Sequence, residues 1–403
     1  MDDAASPYPL RMTSRASTAA IAGLGITPQG RVYGRSAVGW AAEAIRLALE
    51  DAGLEREDLD GLVVNPGLSW GPAAGMASFA VQQAMGLTGV SWSASISLGG
   101  ASAGAMIMQA ALAVEAGLAT HVACVFSDAP LKPPRPRDGK KASGSASAYA
   151  HSGGLESAYG VFGVAGRYAL LAQRHMHRFG TTSDHLGSVA VGQRAFAHGN
   201  PHAEFQDRPL TLEEYHASRW ITEPFHLLDC CLVSNGGVAV IVTSAERARD
   251  LPRPPVYLRG MAQGHPGGDP LETLSGGAAM AGPVALRQAG VELTDVDFCE
   301  LYDCYTFTVL VTLEDYGFCP KGEAGRFIED GRIGPGGSLP VNTGGGQLSS
   351  YYMWGMTPIS EAVIQIRGDG GDRQVERNEL GLVSGNGGIL STHSTLLLGR
   401  SPS

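Results

Sequence analysis

Residues 48–60 can be laid over residues 285–297 with identity at seven of thirteen positions: Ala48, Leu49, Ala52, Gly53, Glu55, Asp58 and Asp60 recur as Ala285, Leu286, Ala289, Gly290, Glu292, Asp295 and Asp297. Their surroundings recur as well. Residues 19–25 form an apolar run ending in glycine, residues 40–52 keep Ala41, Ile45, Ala48, Leu49 and Ala52 on one helical face, and Leu62, Val63 and Val64 begin a second run. Downstream the same order returns as residues 256–260, a helix through Ala285 and Leu286, then Phe298 and Cys299. Gly53 and Gly290 are placed where a helix stops. Each half also has a glycine cluster opening an apolar helix: Gly99, Gly100 and Gly104 before residues 105–116, and Gly344, Gly345 and Gly346 before residues 359–366. Apolar runs at 121–126 and 380–383 follow, and 238–242 and 394–398 close the halves. Strands that read as continuous apolar runs are buried on both faces, so the repeat predicts a duplicated α/β fold with mixed sheets and helices in layers.

The repeat divides the chain into an N-terminal half, residues 18–128 with 226–255, and a C-terminal half, residues 256–403. Residues 1–17 read as a disordered lead-in. Residues 129–225 differ in composition and read as an inserted cap: a loop-like basic run from Lys132 to Lys141, then helices over about 164–178 and 183–198. The net charge of −10 disfavours a nucleic-acid ligand, and no apolar run is long enough to span a bilayer. A cytosolic location is expected. The cysteines, Cys124, Cys230, Cys231, Cys299, Cys304 and Cys319, lack metal-ligand or disulfide-framework spacing, and His226, His265 and His393 are scattered, so no metal is expected.

Chemistry concentrates in residues 342–355, where three glycines permit a tight turn and polar and aromatic residues follow. The stretch has the spacing of the thiolase loop Asn-x-x-Gly-Gly-x-x-x-x-Gly-His-Pro-x-Gly, with Tyr352 where that loop has histidine and Met353 where it has proline. With the duplicated halves, the cap and the glycine loops, the chain resembles the thiolase superfamily over nearly its whole length. The cap sequences 174–182 and 189–203 look like the lipid-transfer-protein (sterol carrier type) branch, and Glu300-Leu301-Tyr302-Asp303-Cys304-Tyr305 corresponds to that branch's Glu-x-His-Asp-Cys-Phe.

The resemblance implies that the catalytic set has been exchanged. Gly99 stands where the family's nucleophilic cysteine is expected, Tyr302 and Tyr352 replace two histidines, and the C-terminal cysteine position falls on Val383 or Ser384. Without a thiolate no acyl-enzyme forms. Retro-aldol cleavage needs only a proton acceptor and enolate stabilisation, and two tyrosines suit it. The pattern is similar to the thiolase-like aldolases of steroid side-chain degradation, which release propionyl-CoA and a ring ketone and work with a small OB-fold, zinc-ribbon partner. Residues 347–349 and 228–237 also look like that group.

The resemblance therefore implies a lyase that cleaves a β-hydroxyacyl-CoA, with Tyr302, Tyr352 and Asp303 as catalytic residues. Gly99, Gly345, Gly346, Asn386 and Gly387 are expected to bind substrate, Gly345 and Gly346 by lining the thioester pocket. No cofactor is expected beyond the coenzyme A of the substrate, and the partners implied are a second copy of the chain and the small subunit. Asp303 could orient a tyrosine or a water, or cap the following helix. Tyr305 and Tyr351 read as packing residues, Asp229 as a strand-end hydrogen-bonding group, and residues 132–141 as a solvated loop or a partner contact, with a phosphate contact as the alternative. Three other functions remain open: a non-catalytic scaffold or carrier, a β-ketoacyl-CoA thiolase or acyltransferase with unusual residues, and a serine hydrolase using Ser102 in Gly100-Ala101-Ser102-Ala103-Gly104.

Overall fold

A computed structural model describes residues 17–134, 158–161 and 163–402. Most of the proposed lead-in, residues 1–16, and the part of the basic run from Arg135 onward lie outside the described residues.

The N-terminal half-sheet contains β1 (Ala19–Ile26), β2 (Gly61–Pro66), β3 (Trp92–Ser95), β4 (Val122–Asp128) and β7 (Gly236–Ser244). The C-terminal half-sheet contains β8 (Val256–Gly264), β9 (Phe298–Glu300), β10 (Leu380–Gly387) and β11 (Thr392–Gly399). β5 (Trp220–Thr222) and β6 (Phe225–His226) make a separate two-stranded ribbon. Both half-sheets are mixed. In the first, β2 runs parallel to β3 and β4, while β7 is antiparallel to β4 and β1; in the second, β10 is parallel to β9 and antiparallel to β11, which is antiparallel to β8. The halves join where Ala20 pairs with Tyr257 and Ile21 with Val256, giving the order β3-β2-β4-β7-β1-β8-β11-β10-β9. Read outward from this seam, β1-β7-β4-β2 is matched by β8-β11-β10-β9.

Most identities of the sequence repeat now have a physical reason. Gly53 and Gly290 cap the helices Ala37–Ala52 and Ala278–Ala289 in the left-handed region, at φ of 68° and 66°. Glu55 N–H donates to Asp58 Oδ2 at 2.8 Å, and Glu292 N–H to Asp295 Oδ2 at 2.9 Å, closing the same short turn in both halves. Asp60 then accepts from Thr120 N and His121 N, as Asp297 does from Glu379 N and Leu380 N, fixing where β4 and β10 begin. The recurring alanines mark close packing of strand on helix. A Cβ on Gly23 would lie 2.2 Å from Ala48 O, and one on Gly260 would lie 2.1 Å from Ala285 O.

Between the half-sheets lie two helices, Ser102–Glu115 and Met356–Arg367, with nearly all of their side chains buried. Their N-terminal ends meet: a Cβ on Gly355 would sit 2.4 Å from Gly100 O and 2.9 Å from Ala103 Cβ. The insert folds as helices Gly163–Phe179, Ser183–Ala197 and Leu212–Ala217, the first two close to the expected spans. Buried His175 anchors it, sharing hydrogen bonds with Thr181 Oγ1 at 2.9 Å and Glu314 Oε2 at 3.0 Å.

Because the atoms facing Gly23 and Gly260 are backbone and cannot rotate away, Gly23→Ala and Gly260→Ala should each lower the unfolding free energy by about 1–3 kcal/mol in urea titrations. Gly117→Ala is a control for conformational strain without a clash, since its φ is also positive but nothing lies within 4 Å of its Cβ position.

Candidate active site

Three segments converge at the N-terminal ends of the two central helices, Ser102–Glu115 and Met356–Arg367. The chain leaves β9 through Leu301, Tyr302, Asp303 and Cys304 before the helix Thr306–Tyr316. The glycine loop makes one wide helical turn, Gly346–Ser350, then runs extended through Tyr351 and Tyr352 to the helix Met356–Arg367. Residues 230–234 lie between them: Cys231 N donates to Cys304 O at 3.1 Å, Leu232 N to Gln347 O at 2.9 Å, and Tyr352 N to Ser234 Oγ at 3.0 Å.

This arrangement brings the two predicted tyrosines together. Tyr302 Oη and Tyr352 Oη are 2.9 Å apart and hydrogen-bonded, from residues fifty positions distant in sequence. Tyr302 is buried and Tyr352 is partly so. Burial is the leading cause that pushes both phenols well above their ordinary range, so both remain protonated at neutral pH. Neither is a resident base. The pair can pass a proton along its hydrogen bond and donate to a developing oxyanion.

Gly99 is half-buried, with φ of 59°, and offers no side chain to the site. The next residue is constrained by Tyr302 itself: a Cβ on Gly100 would lie 2.2 Å from Cε2 and Cζ of that ring and 2.4 Å from Asn386 O. Asn386 is buried, and its Nδ2 donates to Tyr168 Oη at 3.1 Å.

Several expectations are corrected. Gly345 and Gly346 shape the loop, with protein atoms filling the side that a side chain would take. A Cβ on Gly345 would meet Ala197 Cβ at 2.7 Å, a Cβ on Gly346 would meet Asp303 Oδ2 at 2.2 Å, and the Gly345 N–H is held by Asn342 O. Gly387 is likewise a packing position, its Cβ direction ending 1.9 Å from Leu98 O. Asp303 hydrogen-bonds to the glycine loop and not to the phenols, and it does not cap the helix that follows, whose N-cap is Tyr305. Its buried carboxylate accepts from Gln347 N at 3.0 and 2.9 Å and from Leu348 N at 3.2 Å, so it braces the loop that carries Tyr352. Ser102 is no nucleophile: its Oγ donates to Gly99 O at 2.6 Å and accepts from Leu98 N at 2.7 Å, closing its own turn.

Other assignments agree with packing roles. Tyr305 stacks on Phe225 with ring centroids 4.9 Å apart, Tyr351 shares a hydrogen bond with Ser360, and buried Asp229 accepts from Tyr215 Oη, Thr306 Oγ1 and His226 N. Two of the six cysteines, Cys231 and Cys304, lie near the phenols, a placement that the sequence did not reveal. Burial pushes Cys304 up to about 12 and Cys231 well above its ordinary value, so both stay as thiols and not as nucleophilic thiolates. Tyr168, on the insert helix Gly163–Phe179, was also missed; no motif marks it. Among the described residues, no group of three or more His, Cys, Asp or Glu side chains is placed to hold a metal ion, and no helix is long and apolar enough to cross a membrane.

Burial raises the Asp303 carboxyl from 3.8 to about 7, against the backbone donors that lower it. A pKa raised on folding contributes stability that is fully present below the unfolded value and is lost as pH climbs through the folded one. The unfolding free energy of the wild type relative to Asp303→Asn should therefore decline between about pH 4 and pH 7 and level off above. Paired denaturation curves across that range measure it.

Residues 269–400 match the family model described as "Thiolase C-terminal domain-like". The chain is 40% identical over 367 residues to a steroid side-chain-cleaving aldolase of Thermomonospora curvata, covering 87% of this chain and 90% of the relative. It is 38% identical over 371 residues to the 17-hydroxy-3-oxo-4-pregnene-20-carboxyl-CoA lyase of Mycobacterium tuberculosis, covering 87% and 92%. Among solved structures, one titled "Ltp2-ChsH2(DUF35) aldolase" superposes with a TM-score of 0.85 at 37% identity, covering 96% of this chain and 99% of the other.

Proposed function

We propose a reaction from one premise, that this chain belongs to the thiolase superfamily, on the branch of the thiolase-like aldolases. It is a carbon–carbon lyase that cleaves a β-hydroxyacyl-CoA by retro-aldol reaction. The observation that carries this reading is the 2.9 Å hydrogen bond between Tyr302 and Tyr352, with Gly99 at the place of the thiolase nucleophile.

Raised phenol pKa values make a neutral relay the fitting mechanism. The substrate β-hydroxyl gives its proton to one phenol oxygen as that phenol passes its own proton to the other. The bond between the α- and β-carbons breaks, its electron pair forms the enolate of the shorter acyl-CoA, and the hydroxyl oxygen becomes a ketone or aldehyde carbonyl. In the same concerted shift the second phenol delivers its own proton to the α-carbon, so neither oxygen carries two protons or none. Charge is conserved without a free phenolate, which burial disfavours. Asp303 is a positioning residue that holds the Tyr352 loop against the β9 exit.

The proposed substrate class is a steroid side-chain CoA thioester, supported by the names of the relatives, with a ring ketone and propionyl-CoA as the proposed products. A DUF35 subunit with an OB-fold and a zinc ribbon is the proposed partner, by the same route, and the cytoplasm is the proposed location. The free edge of β3, beside exposed Leu68, Met76 and Phe79, supports a homodimer. A scaffold that had lost catalysis would have no reason to retain two hydrogen-bonded phenols. The hydrolase reading lacks a free Ser102 hydroxyl.

The test is to supply purified chain, with and without a DUF35 partner, with β-hydroxyacyl-CoA or with β-ketoacyl-CoA plus free coenzyme A, and to identify products. A ketone and a shorter acyl-CoA from the first substrate are expected; consumption of free coenzyme A with the second would overturn the proposal. Tyr302→Phe and Tyr352→Phe should each lower turnover by about 10² or more with the fold intact. Neither phenol should contribute an ionisation to the rate between about pH 6 and pH 9, because both folded values lie above that window.

A further inference from the structure

The side chain of Asn386 is 2% exposed, and among the described residues its Oδ1 has no hydrogen-bond partner. A buried acceptor left unpaired is unfavourable, and solvent does not reach this one. The rest of the amide is held: Nδ2 donates to Tyr168 Oη at 3.1 Å. Tyr168 is itself fixed on the insert helix, with its ring 5.0 Å from that of Tyr305 and tilted by 42°. Its hydroxyl also meets the thiol of Cys304, two residues beyond Tyr302. The backbone carbonyl of Asn386 and the Tyr302 ring crowd the same face of Gly100, and the carboxamide is tied through Tyr168 to Cys304, so the residue belongs to the wall next to the phenol pair.

Resting on the retro-aldol reading above, we propose that Asn386 is the specificity-determining acceptor for the substrate's β-hydroxyl, with Tyr168 as the positioning residue that keeps the carboxamide oxygen turned toward it. A ligand that parts Tyr302 from Tyr352 brings a hydroxyl donor to this wall. On binding, the O–H donates to Oδ1, and rotation about the C–O bond then turns its single hydrogen to the adjacent phenol oxygen, where the relay begins. A β-ketoacyl or saturated acyl chain has no donor at that carbon and leaves Oδ1 unpaired, and a site built around a substrate hydroxyl rejects analogues that lack it. The retro-aldol substrate is thereby selected over the thiolase substrate by one amide.

The test measures binding in the Tyr352→Phe background, where turnover is slow. Isothermal titration compares a β-hydroxyacyl-CoA with its saturated analogue. The hydroxyl should improve Kd by about 30-fold. Adding Asn386→Leu should reduce this ratio to about 3-fold or less, whereas Asn386→Asp, which keeps an acceptor in place, should retain most of it. Tyr168→Phe should lower the ratio several-fold while leaving the Kd of the saturated analogue unchanged, a split that general loosening of the site would not produce. Melting curves confirm that each variant is folded, and if Asn386→Leu is not, Asn386→Ser takes its place with the same expected loss. An unchanged ratio in the folded Leu or Ser variant overturns the assignment of Asn386, and so does an equal loss in Asn386→Asp. Failure of the wild type to cleave any β-hydroxyacyl-CoA overturns the retro-aldol reading instead, so the two failures are distinct.

Discussion

The hydrogen bond between Tyr302 and Tyr352 is the contact toward which the surrounding structure is organised. Its two oxygens come from different loops, and neither loop could hold its phenol unaided. Asp303 takes two backbone N–H groups of the glycine loop, residues 230–234 pair with both walls, and Ser234 accepts from the backbone of Tyr352 itself. Burial then keeps the phenols neutral. A site of this kind moves protons by exchange between neighbours and not by storing charge, which matches a reaction that begins and ends with the same number of protons on substrate and products.

Duplication explains the placement. The two halves meet at β1 and β8, and the paired central helices bring their N-terminal ends to one place, which is where the loops of both halves arrive. The halves contribute unequally. The first supplies Gly99 and Gly100 and hence room, while the second supplies Tyr302, Tyr352 and Asn386 and hence polar groups. The insert adds Tyr168 from one side and Ala197, against Gly345, from another.

Much of this was readable before any coordinates. The repeat of residues 48–60 at 285–297 carries its own explanation in helix caps, short turns and strand anchors, all local features that sequence encodes directly. Tyr302 and Tyr352 were found through register with a known loop. What escaped depends on contacts between distant segments. Tyr168 lies in a helix whose pattern marks only an apolar face, and Cys231 and Cys304 become neighbours through a single strand pairing. The packing of the glycines at 345, 346 and 387 against Ala197, Asp303 and Leu98 was not legible, because glycine permits close approach by ligand or by protein alike.

Gly99 and Gly100 bear on how easily such a protein could regain the chemistry of its superfamily. A cysteine introduced at 99 would inherit a left-handed backbone, with φ of 59°, that a side chain tolerates poorly, and the aromatic ring of residue 302 already rests over its neighbour. Restoring sulfur alone would leave the new thiol strained and facing a phenol instead of an imidazole. Shape as well as residue identity therefore separates this site from one that works through sulfur.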